Sequence, residues 1–567
     1  MNGRRRPRDW RIAEAGRGQV VELARALNVS PILAQVLIAR GIHETAEARH
    51  FLNPSLANAS DPHLLQDMDA AMSRIRHARD HHEHVTVFGD YDVDGLAGTV
   101  ILLNALRRIG IEQCGWAVPH RLTEGFGIKP QHVRRAHEDG ATLIVTVDNG
   151  TSSHEAAAEA ERLGIDLVIT DHHLLDGPPA KAVAVLNPKR EGPSHPAANA
   201  CGAAVAYKLA CALTGEEHDV DLVALGTVAD IVPLLGENRD LVAAGLAEMC
   251  ERPRVGIEAL AKAAGISTGA LKAEQIAFQL GPRLNAAGRL GRAQEALDLL
   301  LEDSPAGAER IARRLNSANE ERRRIENEIL EDVEALLEED PKEGRHSVVL
   351  GDRHWHAGVL GIVASRVQSR YNLPAVLIAF DEDGLGRGSG RGVEGLDLAG
   401  ALGRCQDHLM SWGGHAAAAG LTVHEDRLVA FQEQFEAEVA RALPGGAPAP
   451  GLSIDALVSL SEVDGRLVAS LDKLQPFGCG NPAPVLCTCG VRVMPNSCRE
   501  LRGGHVRLAV KEGPALLTVV GFGMGEHIEA LRESGSIDIV YTPQFNTWRG
   551  ETSIQLILKD FRTGAAD

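Results

Sequence analysis

VTVFGDYDVDGLAGTVILLNALRRIG, residues Val85 to Gly110, sets three carboxylates between a short apolar run and a long one. VTVF reads as a buried strand, and LAGTVILLNALRRIG has the length and apolar spacing of a helix. Asp90, Asp92 and Asp94 alternate at the junction. Like charges held this close repel, so the segment predicts a cation among them. The competing reading is that each acid caps a helix or closes a turn.

Outward from this stretch the same pattern recurs. TLIVTV (Thr142 to Val147), LVIT (Leu167 to Thr170) and AVAVL (Ala182 to Leu186) alternate with helical segments, which predicts an α/β domain with a parallel sheet. TLIVTV ends in Asp148, Asn149 and Gly150, and LVIT in Asp171, His172 and His173. Parallel strands deliver their carboxyl ends to one edge, where ligands bind. Asp230, closing LVALGTVAD, supplies a further acid. Acids from several elements at one edge favour metal binding over independent capping. An oxygen-rich set with one or two imidazoles suits Mn²⁺ or Mg²⁺ better than structural zinc. There are enough ligands for two ions, an arrangement suited to in-line phosphoryl displacement.

The chain of 567 residues is 44% apolar, enough for several cores. A charged stretch from Ser304 to about Glu339 predicts a helix of roughly 50 Å, long enough to join two domains. SVVLG (Ser347 to Gly351) and PAVLIAF (Pro374 to Phe380) begin a second α/β pattern. After the linker-like PGGAPAPG, HVRLAV, ALLTVVGF, IDIVYTP and TSIQLILKD read as strands of a small β-barrel. The expected boundaries are 1–50 for an N-terminal segment, 51–240 for the catalytic domain, 241–340 for a helical region, 341–445 for the second α/β domain and 446–567 for the barrel.

The net charge of −19 disfavours a wholly basic nucleic-acid binder but not a local basic groove. No apolar stretch reaches the ~20 residues of a membrane span. MNGRRRPRDW has no secretory apolar segment and reads as a solvated tail. The nine irregularly spaced cysteines fit reduced thiols in a cytoplasm. Cys479, Cys487, Cys489 and Cys498 lack paired zinc-knuckle spacing, and HHEH (His81 to His84) precedes its strand and falls at the opposite sheet edge. Both sets are expected to lie outside the chemistry.

In order, DYDVDG, VTVDNG, ITDHH and GTVAD resemble the four motifs of the DHH phosphoesterases. PHRLTEGFG, GPRLNAAGRL, WHAGVLGIVASRV, GSGR, GGHAAAAG, PFGCGNP and NTWRGETSIQL extend the resemblance to the RecJ family of single-strand-specific 5′→3′ exodeoxyribonucleases. The resemblance implies a DHH catalytic domain, a DHHA1 domain and a C-terminal OB-fold. It places Asp90, Asp92, Asp94, Asp148, His172 and Asp230 at two ions, with Asp148 bridging. It makes His173 a donor to the scissile phosphate and Asp171 the group that orients the imidazoles. Arg121, Arg283, Asn285, Ser389, Arg391, His415 and Trp548 would contact DNA and its 5′-phosphate. Single-strand-binding protein and a helicase are the implied partners. The alternative is a DHH phosphodiesterase acting on short oligonucleotides or cyclic dinucleotides. GGHAAAAG also reads as a glycine turn followed by an alanine-rich helix. In the barrel, Phe477, Phe522, Tyr541 and Trp548 are candidates for base stacking, and Arg502, Arg507 and Lys511 for a phosphate track.

Overall fold

A computed structural model of the protein describes residues 8–175, 177–339, 344–548 and 550–563, apart from the side chain of Trp548. The chain divides into two compact units: Leu56–Ala449, and Pro7–Ser55 together with Pro450–Asp567.

In the first unit, a parallel five-stranded sheet runs in the order Cys114–Ala117, Val85–Phe88, Leu143–Val147, Asp166–Thr170, Ala184–Leu186. Alternate residues serve opposite faces. Val85, Val87, Leu143, Val145 and Val168 enter a core shared with the helices Val93–Arg108, Gly202–Thr214 and Val220–Ala229. Phe88, Ile144, Leu167 and Ile169 enter a separate core on the other side. Burial on both faces explains why the strands read as continuous apolar runs.

The long helix spans Pro305–Glu339. Ala308, Ile311, Ala312 and Leu315 belong to the first core, while Ile329, Val333 and Leu337 belong to the core of the second α/β region. One helix is thus bolted into two cores.

The second sheet runs Ser411–Gly414, Ala418–His424, Leu385–Arg391, Ala375–Phe380, Val348–Asp352, with only the last two strands parallel. GGHAAAAG therefore forms a hairpin, not an alanine-rich helix. Ala419, Leu421 and Val423 are buried at every second position, so the strand period of LTVH extends back through the alanines and overrides their helix propensity.

The second unit is a seven-stranded sheet, Ala456–Leu457, Leu486–Val493, Ser536–Trp548, Glu551–Thr563, Ala515–Gly521, His505–Glu512, Arg499–Leu501. Pairing of Arg492 and Val493 with Lys511 and Val510 closes it into a barrel. The N-terminal helices Arg17–Leu27, Pro31–Ala39 and Thr45–Leu52 share its core, with Leu33, Leu37 and Phe51 clustered with Leu486, Val506 and Tyr541. Asp9–Ile12 pairs in parallel with Gly451–Ile454, and Trp10 Nε1 donates to Asp560 at 2.8 Å. Only 1–7 of the expected basic tail lie outside the described residues. Among the described residues, no single helix is long and apolar enough to cross a membrane.

Candidate metal centre

Asp90, Asp92 and Asp94 follow the first strand, Asp148 the second, and Asp171, His172 and His173 the third; Asp230 caps the end of the helix Val220–Ala229. Three overlapping groups offer ligand atoms within 4.8 Å of one another: Asp90, Asp92 and Asp148; Asp148, His172 and His173; Asp94, His172 and Asp230. Asp148 and His172 each belong to two groups.

Local folding assigns some acids a second task. Asp92 Oδ1 accepts from the backbone N–H groups of Asp94 and Gly95, capping the helix that follows. One side chain thus caps the helix and still stands in a group able to hold a metal ion. Asp94 is buried, and its two oxygens accept from Gly202 N at 2.6 Å and Ala203 N at 2.8 Å. Gly226 is needed beside it, since a methyl group there would stand 2.7 Å from Asp94 Oδ1. Asp148 adopts φ 63°, a conformation that costs free energy in a non-glycine residue and clusters at functional sites.

Asp171 Oδ1 accepts from His172 N at 2.7 Å, His173 N at 3.1 Å and His173 Nδ1 at 2.8 Å, while Oδ2 accepts from Thr151 N. Asp171 thus orients His173 rather than both rings. The hydrogen bond and charge of His173, with the Thr151 N–H, hold Asp171 below the usual carboxylate range against its burial. Asp171 in turn raises the proton affinity of His173 against burial. Burial lowers that of His172, opposed by Asp94.

Asp90, Asp148 and Asp230 bind protons more tightly than usual. Burial, then repulsion from Asp92, raises Asp90 well above the usual carboxylate range. Burial, then repulsion from Asp94, does the same to Asp148 and lifts Asp230 to about 9. Oδ1 of Asp90 and Oδ1 of Asp148 are buried and accept no hydrogen bond. His172 Nε2 approaches Asp148 Oδ1 at 3.0 Å, but not in hydrogen-bonding geometry. Buried, crowded carboxylate oxygens without donors, joined by an imidazole, fit hard divalent cations.

The expected DNA contacts divide into several kinds. Arg121 stacks 4.7 Å from the Tyr91 ring centroid and is close enough to Asp90 and Asp92 to influence both. Arg391 donates Nε to Ser365 Oγ and Nη1 to Ser389 Oγ and the Gly390 carbonyl. These partners are all neutral, and burial lowers the proton affinity of the guanidinium. A methyl at Gly361 would lie 2.7 Å from Arg391 Nη2, so the glycine leaves this pocket open. Arg283 donates to Asn316 and to the Gln279 carbonyl. Asn285 uses its amide oxygen to accept from Val93 N, supporting the turn that carries Asp92 and Asp94. His415 is exposed at the hairpin.

Several residues near the site were not singled out by sequence. Arg289 is pushed down to about 10 by burial and then by Arg121, and it also senses Asp92. Phe126 is exposed and meets His173 edge-on at 5.1 Å between ring centroids. Ile231, next to Asp230, is 72% exposed at φ 60°. An exposed β-branched residue in that conformation is a signal of function visible only in three dimensions.

In the barrel unit, Tyr541 is wholly buried and bonded to Thr488, so it is core and not a stacking platform. Phe477 packs partly against that core, Phe522 is exposed, and the side chain of Trp548 lies outside the described residues. Phe545 is exposed as well. Arg502, Arg507 and Lys511 are exposed, the last two on one face of a strand. The nine cysteines are free thiols.

Comparison with known proteins finds three family matches along the chain. Residues 84–229 match the DHH family N-terminal domain, 345–441 the DHHA1 domain and 454–560 the RecJ OB domain. The single-stranded-DNA-specific exonuclease RecJ of Dickeya dadantii is 34% identical over 93% of this chain and 95% of its own. That of Bacillus subtilis is 33% identical over 97% of this chain and 70% of its own. A crystal structure of Thermus thermophilus RecJ with Mn²⁺ superposes with a TM-score of 0.85 at 30% identity, covering 100% of this chain and 81% of that one. Domain content, fold and identity over nearly the full length agree: the chain belongs to the RecJ family.

Proposed function

We propose that this protein is a single-strand-specific 5′→3′ exodeoxyribonuclease releasing 5′-mononucleotides by a two-metal mechanism in DNA repair and recombination. The observation that carries this reading is the set of buried and half-buried acids with two imidazoles at one sheet edge, in a chain that also matches the RecJ OB domain. Asp90, Asp92, Asp94, Asp148, His172 and Asp230 would hold Mn²⁺ or Mg²⁺, the ions in Thermus thermophilus RecJ structures. Such a pair activates water and offsets charge on the phosphoryl group.

The chain's own groups do the rest. Asp171 accepts from His173 Nδ1 and favours the protonated ring, so the Nε2–H of that imidazolium can donate to a phosphate oxygen. Arg121 stands by the acids as a second donor. Arg391 and Ser389 form a pocket of neutral hydrogen bonds whose uncompensated guanidinium suits a 5′-phosphate. Phe126 and Ile231 offer apolar surface to bases. In the barrel, Phe522, Phe545, Arg507 and Lys511 give a stacking and phosphate surface for the strand. A cytoplasmic location, with a helicase and single-strand-binding protein as partners, fits this role.

Asp148→Ala tests the reading. With saturating Mn²⁺ and a 5′-phosphorylated single strand, hydrolysis should be abolished while part of the DNA binding survives. Near-normal turnover would overturn the metal assignment.

A further inference from the structure

In GRGSGR, Gly386, Gly388 and Gly390 face the core against Phe380, Ile378, Leu421 and Leu398, so Arg387, Ser389 and Arg391 share the opposite face of the strand. Ser389 and Arg391 form the phosphate pocket proposed above. Arg387 instead reaches out of its sheet and donates Nη1 to the Leu122 carbonyl at 2.6 Å. Leu122 adjoins Arg121, which stands over Tyr91 beside the metal-binding acids, and the same loop ends in Phe126 beside His173.

The loop is held on its other side as well. His120 N donates to Glu124 Oε2 at 2.7 Å, and Glu124 lies 3.4 Å from the buried His132. From the second α/β region, Arg387 supplies its direct side-chain hydrogen bond to this loop. It is exposed, so the bond is not a by-product of core packing.

We propose that Arg387 is a positioning residue that fixes the spacing between the 5′-phosphate pocket and the metal centre, and so sets the length of the product. This rests on the reading of the site given above. The strand carrying the pocket and the loop carrying Arg121 and Phe126 move as one body while the bond holds. A terminal phosphate in the pocket then brings one particular phosphodiester to the acids. Without the bond, the loop can shift relative to the pocket, and the next phosphodiester can reach the same place. Arginine suits the role because its planar donors reach a carbonyl at fixed geometry.

The test is Arg387→Met, which keeps length and removes the donors. With a 5′-phosphorylated single strand and Mn²⁺, the variant should release dinucleotides beside mononucleotides. KM for that strand should rise at least threefold with kcat within twofold of the parent, and Arg387→Lys should restore part of the mononucleotide product. Hydrogen exchange across residues 120–127 should quicken in Arg387→Met, a readout that needs no catalysis. A folded variant with mononucleotide product, parental KM and unchanged exchange in this loop would overturn the proposal. If the parent shows no digestion, the exonuclease reading fails, whereas loop exchange still decides whether Arg387 acts as a strut.

Discussion

Gly202 stands where two of the metal-site acids meet. Its N–H donates to Asp94 Oδ2 at 2.6 Å, and a methyl group on its Cα would lie 2.5 Å from Asp148 Cβ and 2.8 Å from Asp148 Oδ1. Relief to a tolerable 3.4 Å requires a shift of about 0.9 Å, the difference between 3.4 and 2.5. Both neighbours are constrained, because Gly202 opens a helix whose first N–H groups hold Asp94 and Asp148 already occupies a left-handed conformation. Overpacking of this kind costs ~1–3 kcal/mol, and a ~1 Å misplacement of catalytic groups costs on the order of 10²-fold in rate. Gly202→Ala should therefore fold with a modestly lowered Tm, lose about 10²-fold in kcat, and need more Mn²⁺ to saturate. Gly18→Ala, a helix position with nothing within 4 Å, is the control and should match the parent. Single-strand digestion across an Mn²⁺ titration, beside thermal melts, provides the comparison. Parental kcat and Mn²⁺ dependence in a folded Gly202→Ala would refute the argument that this contact sets the position of Asp148.

Three further outcomes follow from the same geometry. Arg391→Ala should reduce the preference for a 5′-phosphate over a 5′-hydroxyl by tenfold or more, since each charge-assisted bond contributes ~1.5–3 kcal/mol; competition between the two substrates measures it, and an unchanged preference moves the pocket elsewhere. Without metal, stability should fall as pH rises from 3.8 towards about 9, because Asp230, and likewise Asp90 and Asp148, bind protons in the folded state that the unfolded chain has released. Saturating Mn²⁺ should flatten that slope in thermal melts, and a slope indifferent to metal would contradict it. Deletion of Pro450–Asp567 alone should yield an aggregating protein, because Leu33, Leu37 and Phe51 lose the core they share with Val506 and Tyr541; removing Pro7–Ser55 as well should restore solubility and leave the metal site intact, as judged by Mn²⁺ binding.

What sequence could reveal depended on periodicity and order. The strands bearing Asp90, Asp148 and Asp171 announce themselves because both faces are buried, and the acids follow at strand ends where a parallel sheet must gather them. The hairpin at GGHAAAAG hid behind four alanines, whose local preference says helix while the register of Ala418 and Ala419 with Arg391 and Gly390 dictates strand. Tyr541 is indistinguishable from a stacking aromatic until its neighbours are known. The N-terminal helices showed nothing of their partner, since contacts between Leu37 and residues more than four hundred positions away leave no local pattern. Asn285 and Arg283 stood out in one motif, yet Asn285 serves the Val93 turn, while Arg289 in that motif senses the acids.

The central claim is that metal-bound acids at this sheet edge cut one end of a single strand. Incubate the full chain and Mn²⁺ with a 5′-phosphorylated oligonucleotide labelled at the 5′ end, the same strand labelled at the 3′ end, and its blunt duplex. The account predicts labelled mononucleotide at once from the first, a ladder of shortening fragments from the second, little product from the duplex, and none anywhere with EDTA. Mononucleotide released first from the 3′-labelled strand, or equal digestion of the duplex, would contradict it.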